Sequence, residues 1–357
     1  MSALKKRLTN KNNLVEHIDI TQFNPQKVMD GFGHMSFTAR ETYLAAELYL
    51  KMLRHKKCKI FLAIAGSATA GGCMDIPVKL VENNMVDAII ATGATVVDMD
   101  FFEALGFRHY QLKEAVDDEK LRRLGLDRIY DTLIQEADLQ VCDQRIKKIA
   151  DKMTPGSYAS CEFIAAMGAH LHRGNAQKRH SLVETCYLKG VPIFSPAFSD
   201  SSAGFGLTAH QEGREKEGRP YTTIDSVRDF RLLTKLVIKA HENGGSTGLF
   251  MIGGGSPKNF IQDTVVCADI MGHPIGMHEY AVQITVADVR DGACSSSTLK
   301  EANSWGKVKQ HQSQMVYDEA TKSWPLIASY AYHQREWSKE RPETNFNAYL
   351  KTLPKGR

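Results

Sequence analysis

The chain has 357 residues, 43% hydrophobic and 24% charged, which suits a soluble globular protein with a large core. Lys and Arg number 45 against 41 Asp and Glu; a formal charge of +4 over this length is no nucleic-acid signature, and no basic run interleaves with aromatics. No stretch approaches a membrane span, no apolar segment follows the basic residues 1–7, and seven scattered cysteines without a Cys-x-x-Cys pair point to reduced thiols in the cytoplasm, with neither disulfides nor a zinc site.

Residues 1–40 are polar and read as an irregular arm that packs on the body or on a neighbouring subunit. A helix is predicted from about Thr38, where Ala39, Tyr43, Leu44, Ala46, Leu48 and Leu50 make a broad apolar side. Residues 59–64 form a short apolar run that leads into Gly66, as in a buried parallel strand, and a helix follows through Val81. Residues 86–91 are a second such strand, ended by Thr92-Gly93-Ala94-Thr95. The stretch 112–179 reads as mostly helical, most clearly over 127–153 and 160–172. His170 and His172 lie two apart, a spacing that turns helical side chains away from each other and argues against a metal.

Residues 181–188 read as a helix stopped by Gly190, and 191–195 as a strand running into a small-residue loop, 196–204. Residues 211–224 look like a charged surface excursion, and 226–242 like an amphipathic helix stopped by Gly244-Gly245. A strand over 248–252 leads directly into Gly253-Gly254-Gly255, with a helix from about Asn259. Residues 280–285 are the last strong strand, followed by an extended piece at 314–317 and a helix through 326–331. The expected architecture is a doubly wound, mostly parallel α/β sheet with helices on both faces. The expected division is an arm over 1–40, a single catalytic domain over 41–337 and a polar tail over 338–357.

At least four segments repeat one grammar: apolar strand, glycine- or serine-rich turn, helix. Such turns expose backbone N–H groups and a positive helix end to an anion, so a dinucleotide is a reasonable ligand. No G-x-G-x-x-G fingerprint is present, and ordinary tight turns explain the pattern equally well. Asp87, Asp98, Asp100, Asp200, Asp288 and Asp291 lie in or near strand ends, and Glu301 sits six residues before Lys307. Carboxylates around an apolar wall suit a cationic polyamine, because a buried ammonium needs partners; any one of them also reads as a solvated or capping acid. Lys307 follows Ser304-Trp305-Gly306. A lysine desolvated beside an indole becomes a nucleophile able to hold a carbonyl or imine fragment. The alternative is a surface lysine after a helix C-terminal glycine.

Residues 301–307, Glu-Ala-Asn-Ser-Trp-Gly-Lys, resemble the active-lysine motif of the deoxyhypusine synthase family. Residues 253–259, Gly-Gly-Gly-Ser-Pro-Lys-Asn, resemble its glycine-triplet segment, and residues 84–87, 92–94 and 194–200 match further blocks in order. The similarity runs from about Lys59 to Ala328. It implies an NAD-dependent aminobutyl transfer: spermidine is oxidised beside its secondary amine, the lysine captures the butyl imine, 1,3-diaminopropane leaves, and the fragment passes to an acceptor amine without net redox change. It also implies a homotetramer with active sites at subunit interfaces.

Carried over by position, the resemblance makes Lys307 the covalent lysine, with Trp305, Glu301, Asn259 and Asp263 at substrate positions. Ser67, Thr92, Gly93, Ala94, Asp98, Asp200, Gly254, Gly255, Asp291, Glu319 and Ala320 fall at or near cofactor contacts. Four pocket positions depart from the members that modify a protein lysine. Phe205 stands for Asp, Asn259 for His, Asp263 for Asn and Cys294 for Asp. These departures look like the bacterial branch, part of which resembles homospermidine synthases with putrescine as acceptor. The other readings are an NAD-dependent polyamine dehydrogenase and a non-catalytic polyamine- or nucleotide-binding protein.

Overall fold

A computed structural model describes residues 2–177, 180–290 and 297–354. Among them, the predicted apolar runs form a six-stranded parallel sheet: β1 (Cys58–Ile64), β2 (Ala88–Ala91), β3 (Ile193–Phe194), β4 (Ser246–Ile252), β5 (Tyr280–Thr285) and β6 (Ser313–Tyr317). Their order is β6-β5-β4-β1-β2-β3, so the chain winds outward from β1 in one direction and then from β4 in the other. This is the expected doubly wound sheet. Ile64 pairs in register with both Ala91 and Ile252, which brings the carboxyl ends of the central strands to one edge.

The sheet is buried on both faces, which explains why its strands read as continuous apolar runs. Alternation along β1 divides the core. Ile60, Leu62 and Ile64 pack with Tyr49, Phe250 and Trp324 on one side, while Phe61 and Ala63 join Leu233, Val237 and Phe346 on the other.

Four stretches differ from the sequence expectations. The helix expected over 127–153 occupies only Glu136–Lys152; before it, Leu126–Ile129 and Thr132–Gln135 pair as an antiparallel hairpin. Leu126, Ile129 and Leu133 fit a helical spacing as well as paired strands, and the reversal is made by Tyr130 at φ 50. The charged excursion at 211–224 begins as the end of helix Ser202–Lys216, and its last residues, Thr222–Ile224, pair in parallel with Gly156–Tyr158. The N-terminal arm is not irregular. It carries helices Ala3–Leu8 and Gln26–Gly33 and sends Ile20 and Met29 into the main core.

The tail is also ordered by packing, through a charge that composition could not distinguish from a solvated one. Arg341 is fully buried; it donates to the carbonyls of Asn84 and Cys58, each at 2.9 Å, and pairs with the buried Asp87. Helix Phe346–Thr352 follows, with Phe346 stacked on Phe61 at 6.3 Å. Asp87 precedes β2, at the opposite end of the strand from Thr92, and serves this ion pair.

Removing one partner of a buried ion pair leaves an uncompensated charge, at a cost of about 3–5 kcal/mol. Arg341→Ala is expected to lower unfolding free energy by that amount in urea denaturation, and a loss under ~1 kcal/mol would contradict this role for the tail.

Candidate active site

The lysine motif is a short helix with both ends capped. Thr298 precedes helix Leu299–Ser304 and accepts the N–H of Glu301 at 3.1 Å. Glu301 Oε2 in turn accepts the N–H and hydroxyl of Thr298, at 2.5 and 2.8 Å. These bonds hold the Glu301 carboxyl below its ordinary range. At the other end Gly306 stands at φ 71; its N–H donates to Asn303 O at 2.9 Å, and that of Lys307 to Ala302 O at 3.0 Å. This pair of bonds is the Schellman arrangement, and a left-handed residue there favours glycine. Lys307 therefore does follow a helix C-terminal glycine, and its side chain points inward, only 18% exposed.

The Lys307 ammonium meets the carboxylate of Asp263 at 2.6 Å and lies 5.3 Å from the centre of the Trp305 ring. Asp263 ends helix Gly255–Gln262, and Asn259 is one turn earlier on the same helix. Lys307, Trp305, Asp263 and Asn259 thus form one cluster, with Glu301 a turn before Trp305. Lys258, fully buried, donates to the carbonyl and hydroxyl of Ser297, tying the glycine-triplet helix to the lysine helix. Trp305 differs from the expectation of a dry indole wall. It is 70% exposed, so this chain alone does not close the site around it.

Two residues missed in the sequence hold the lysine segment. Asn303 donates from its side chain to Val308 O at 2.9 Å, and His278 forms a parallel bridge with Val308. Asn303 lies within the motif; His278 carries no sequence signal beyond being polar before an apolar strand.

The expected cofactor positions line the carboxyl edge of the sheet. Ser67 follows β1, Thr92-Gly93-Ala94 follows β2, Gly254 and Gly255 follow β4, and Glu319 and Ala320 follow β6. A Cβ on Gly93 would stand 2.5 Å from Ser201 Oγ and 2.9 Å from Phe198 O, so glycine is required there by the loop after β3. Gly66 and Gly255, at the switch between β1 and β4, have open space where a Cβ would stand. Their backbone can be approached closely, which fits a pyrophosphate-bearing dinucleotide. Glu319 caps helix Ala320–His333 by accepting the N–H of Thr321 at 2.8 Å.

Asp98 and Asp200 lie on the other flank, towards β3. Asp98 accepts the N–H of Ser202 at 2.9 Å, and burial, reinforced by Asp143 and Asp200, pushes its carboxyl up to about 6. Asp143 is a further missed member of this group. Asp100 is a buried cap for Ser181, Leu182 and Val183. Asp288 pairs with Arg290 on the surface. Asp291 and Cys294 lie outside the described residues.

A family profile for deoxyhypusine synthase matches residues 27–331. A deoxyhypusine synthase-like protein of Coxiella burnetii is 56% identical over 349 residues, covering 98% of this chain and 97% of its own length. One from Caulobacter vibrioides is 56% identical over 333 residues, covering 93% and 90%. A Methanosarcina acetivorans relative with the provisional name deoxyhypusine synthase 2 is 35% identical, covering 91% of both chains. Among solved structures, an Entamoeba histolytica protein provisionally assigned as a deoxyhypusine synthase superposes with a TM-score of 0.58 at 18% identity, covering 89% of this chain and 97% of that one, a likeness of fold.

Because Asp98 binds its proton more tightly folded than unfolded, it penalises the fold as pH rises from about 4, fully so above about 6. Asp98→Asn keeps an acceptor for Ser202 and removes the charge. It is expected to be more stable than the parent at pH 8 by about 1–3 kcal/mol, with the difference vanishing near pH 3.5; urea denaturation at both pH values checks this.

Proposed function

The chain belongs to the deoxyhypusine synthase family, a membership that implies a transferase, and from it we propose an NAD-dependent enzyme that moves a 4-aminobutyl group from spermidine or putrescine, through an imine on Lys307, to an acceptor amine. The observation that carries this reading is the Lys307 amine, turned inward and 2.6 Å from a carboxylate, in the family's lysine motif.

When bound along the glycine turns, the dinucleotide would supply a hydride acceptor for the carbon beside the donor's amine and return that hydride at the end. The chain's own residues do the rest. At rest Asp263 holds the Lys307 ammonium in an ion pair; once the donor's imine lies beside it, Asp263 takes the proton and frees the electron pair. The amine adds to the donor's imine carbon, the bond to the departing amine breaks, and that amine leaves with the proton. The butyl imine left on Lys307 is then attacked by the acceptor amine, and Lys307 leaves with its proton restored through Asp263. Trp305 supplies a flat wall for the aliphatic cation. Its exposure supports a site completed by a neighbouring subunit, in a homotetramer like that of the family.

A free diamine as acceptor, as in homospermidine synthesis, is favoured over a protein lysine by two residues. Phe205, largely exposed on its helix, stands where protein-modifying members have Asp, and the Lys307 partner is Asp263 where they have Asn.

Borohydride added with NAD and spermidine is expected to trap a butylamine adduct on Lys307 and none in Lys307→Ala; an adduct persisting in the variant removes the mechanism. With putrescine and NAD, homospermidine should accumulate while NADH absorbance stays flat. Steady NADH growth instead identifies a dehydrogenase, and modification of only a protein lysine reverses the acceptor assignment.

A further inference from the structure

Beneath Lys307 lies a buried imidazole that the proposed chemistry does not use. His278 is fully buried, and its backbone grips both sides of Val308: its N–H donates to Lys307 O at 2.9 Å, and its carbonyl accepts the N–H of Lys309 at 3.1 Å. Its side chain reaches the other half of the site. Nε2 lies 3.1 Å from the carbonyl oxygen of Ile261, two residues before Asp263, and Nδ1 lies 2.7 Å from Thr247 Oγ1.

A carbonyl can only accept, so Nε2 carries the hydrogen. Burial pushes the imidazole down to about 3, which keeps it neutral, so Nδ1 accepts from the Thr247 hydroxyl. That hydroxyl can accept in turn from His241 Nε2 at 3.1 Å. One tautomer satisfies every polar atom of the ring and gives the relay a single direction, from His241 through Thr247 and His278 to Ile261.

The contacts close into a loop. His278 holds the main chain of Lys307 on one side and the end of the Asp263 helix on the other, and Asp263 holds the amine of Lys307. We propose that His278 is a positioning residue for the Lys307 amine, fixing the distance between the lysine segment and the carboxylate that takes its proton. This rests on Lys307 being the reacting group. His278 touches neither amine nor carboxylate, so its effect passes through the two backbones it joins.

The test uses the full-length protein with His278→Leu, His278→Gln and Thr247→Val, and two readouts. The first needs no activity: acylation of each lysine by acetic anhydride, followed by mass spectrometry. In His278→Leu, Lys307 should be labelled about tenfold faster than in the parent, approaching Asp263→Ala, while other lysines keep their rates. The glutamine amide can donate to Ile261 and accept from Thr247, so His278→Gln should restore the parent rate. The second readout is transfer: in His278→Leu, kcat should fall about 10–100-fold, with polyamine KM and NAD affinity within about twofold.

Unchanged Lys307 labelling in His278→Leu overturns the proposal, as does a kcat loss that His278→Gln fails to restore. Should His278→Leu not fold, Thr247→Val decides. It removes the hydroxyl donor in similar volume, and an unaltered labelling rate there overturns the proposal too. If labelling shifts as expected but no polyamine is transferred by the parent, the chemistry assigned to Lys307 falls while the positioning role of His278 stands.

Discussion

The contact between Lys307 and Asp263 joins two parts of the chain that have no local reason to meet. One lies past β5 on a short capped helix; the other ends the helix that springs from the glycine triplet after β4. They come together because β4 and β5 are neighbours in register, with Ile252 opposite Ile284, so both connections emerge at the same edge. The Gly306 turn then aims the lysine, and Lys258 pulls the start of its helix onto the glycine-triplet helix. A cation thus stands next to its carboxylate through sheet register, a left-handed turn and a buried lysine acting together.

Stability is set aside at the opposite flank of the same edge. Burial already disfavours the charge of Asp98, while Asp143 and the exposed Asp200 add like charge beside it, and a fold selected only for stability would dispose of one. The buried pair of Arg341 and Asp87, at the far end of β2, shows the opposite use of charge, since its carboxylate has a guanidinium, a lysine and a backbone N–H around it. The exposed Trp305 and Phe205 lie on the two parts of the site, on surfaces that this chain leaves uncovered.

The sheet was legible because parallel strands buried on both faces leave an unbroken apolar run, and glycine punctuates the carboxyl ends of β1, β2 and β4. The two segments that meet at Lys307 and Asp263 were legible because the lysine motif and the glycine triplet are each contiguous in sequence. The hairpin at 126–135 was not: apolar residues three and four apart, Leu126, Ile129 and Leu133, serve a helix face or a strand pair alike, and only the packing of Leu126 and Leu133 against Leu8 and Leu121 separates them. The packing of the tail was not legible for a similar reason, since Arg341 looks like any surface arginine until Asp87 is seen beneath it. His278 had no local pattern at all, because its partners at 247, 261 and 307 are brought to it by separate elements.

By itself the sequence determined the strands, their glycine-rich ends and the family-like lysine segment, all encoded by neighbours along the chain. The tertiary structure decided which carboxylate faces the lysine, which acids are caps or ion pairs, and which histidine lies beneath the site. Those choices depend on distances across the sheet edge, and a linear order of residues does not contain such distances until the strands are in register.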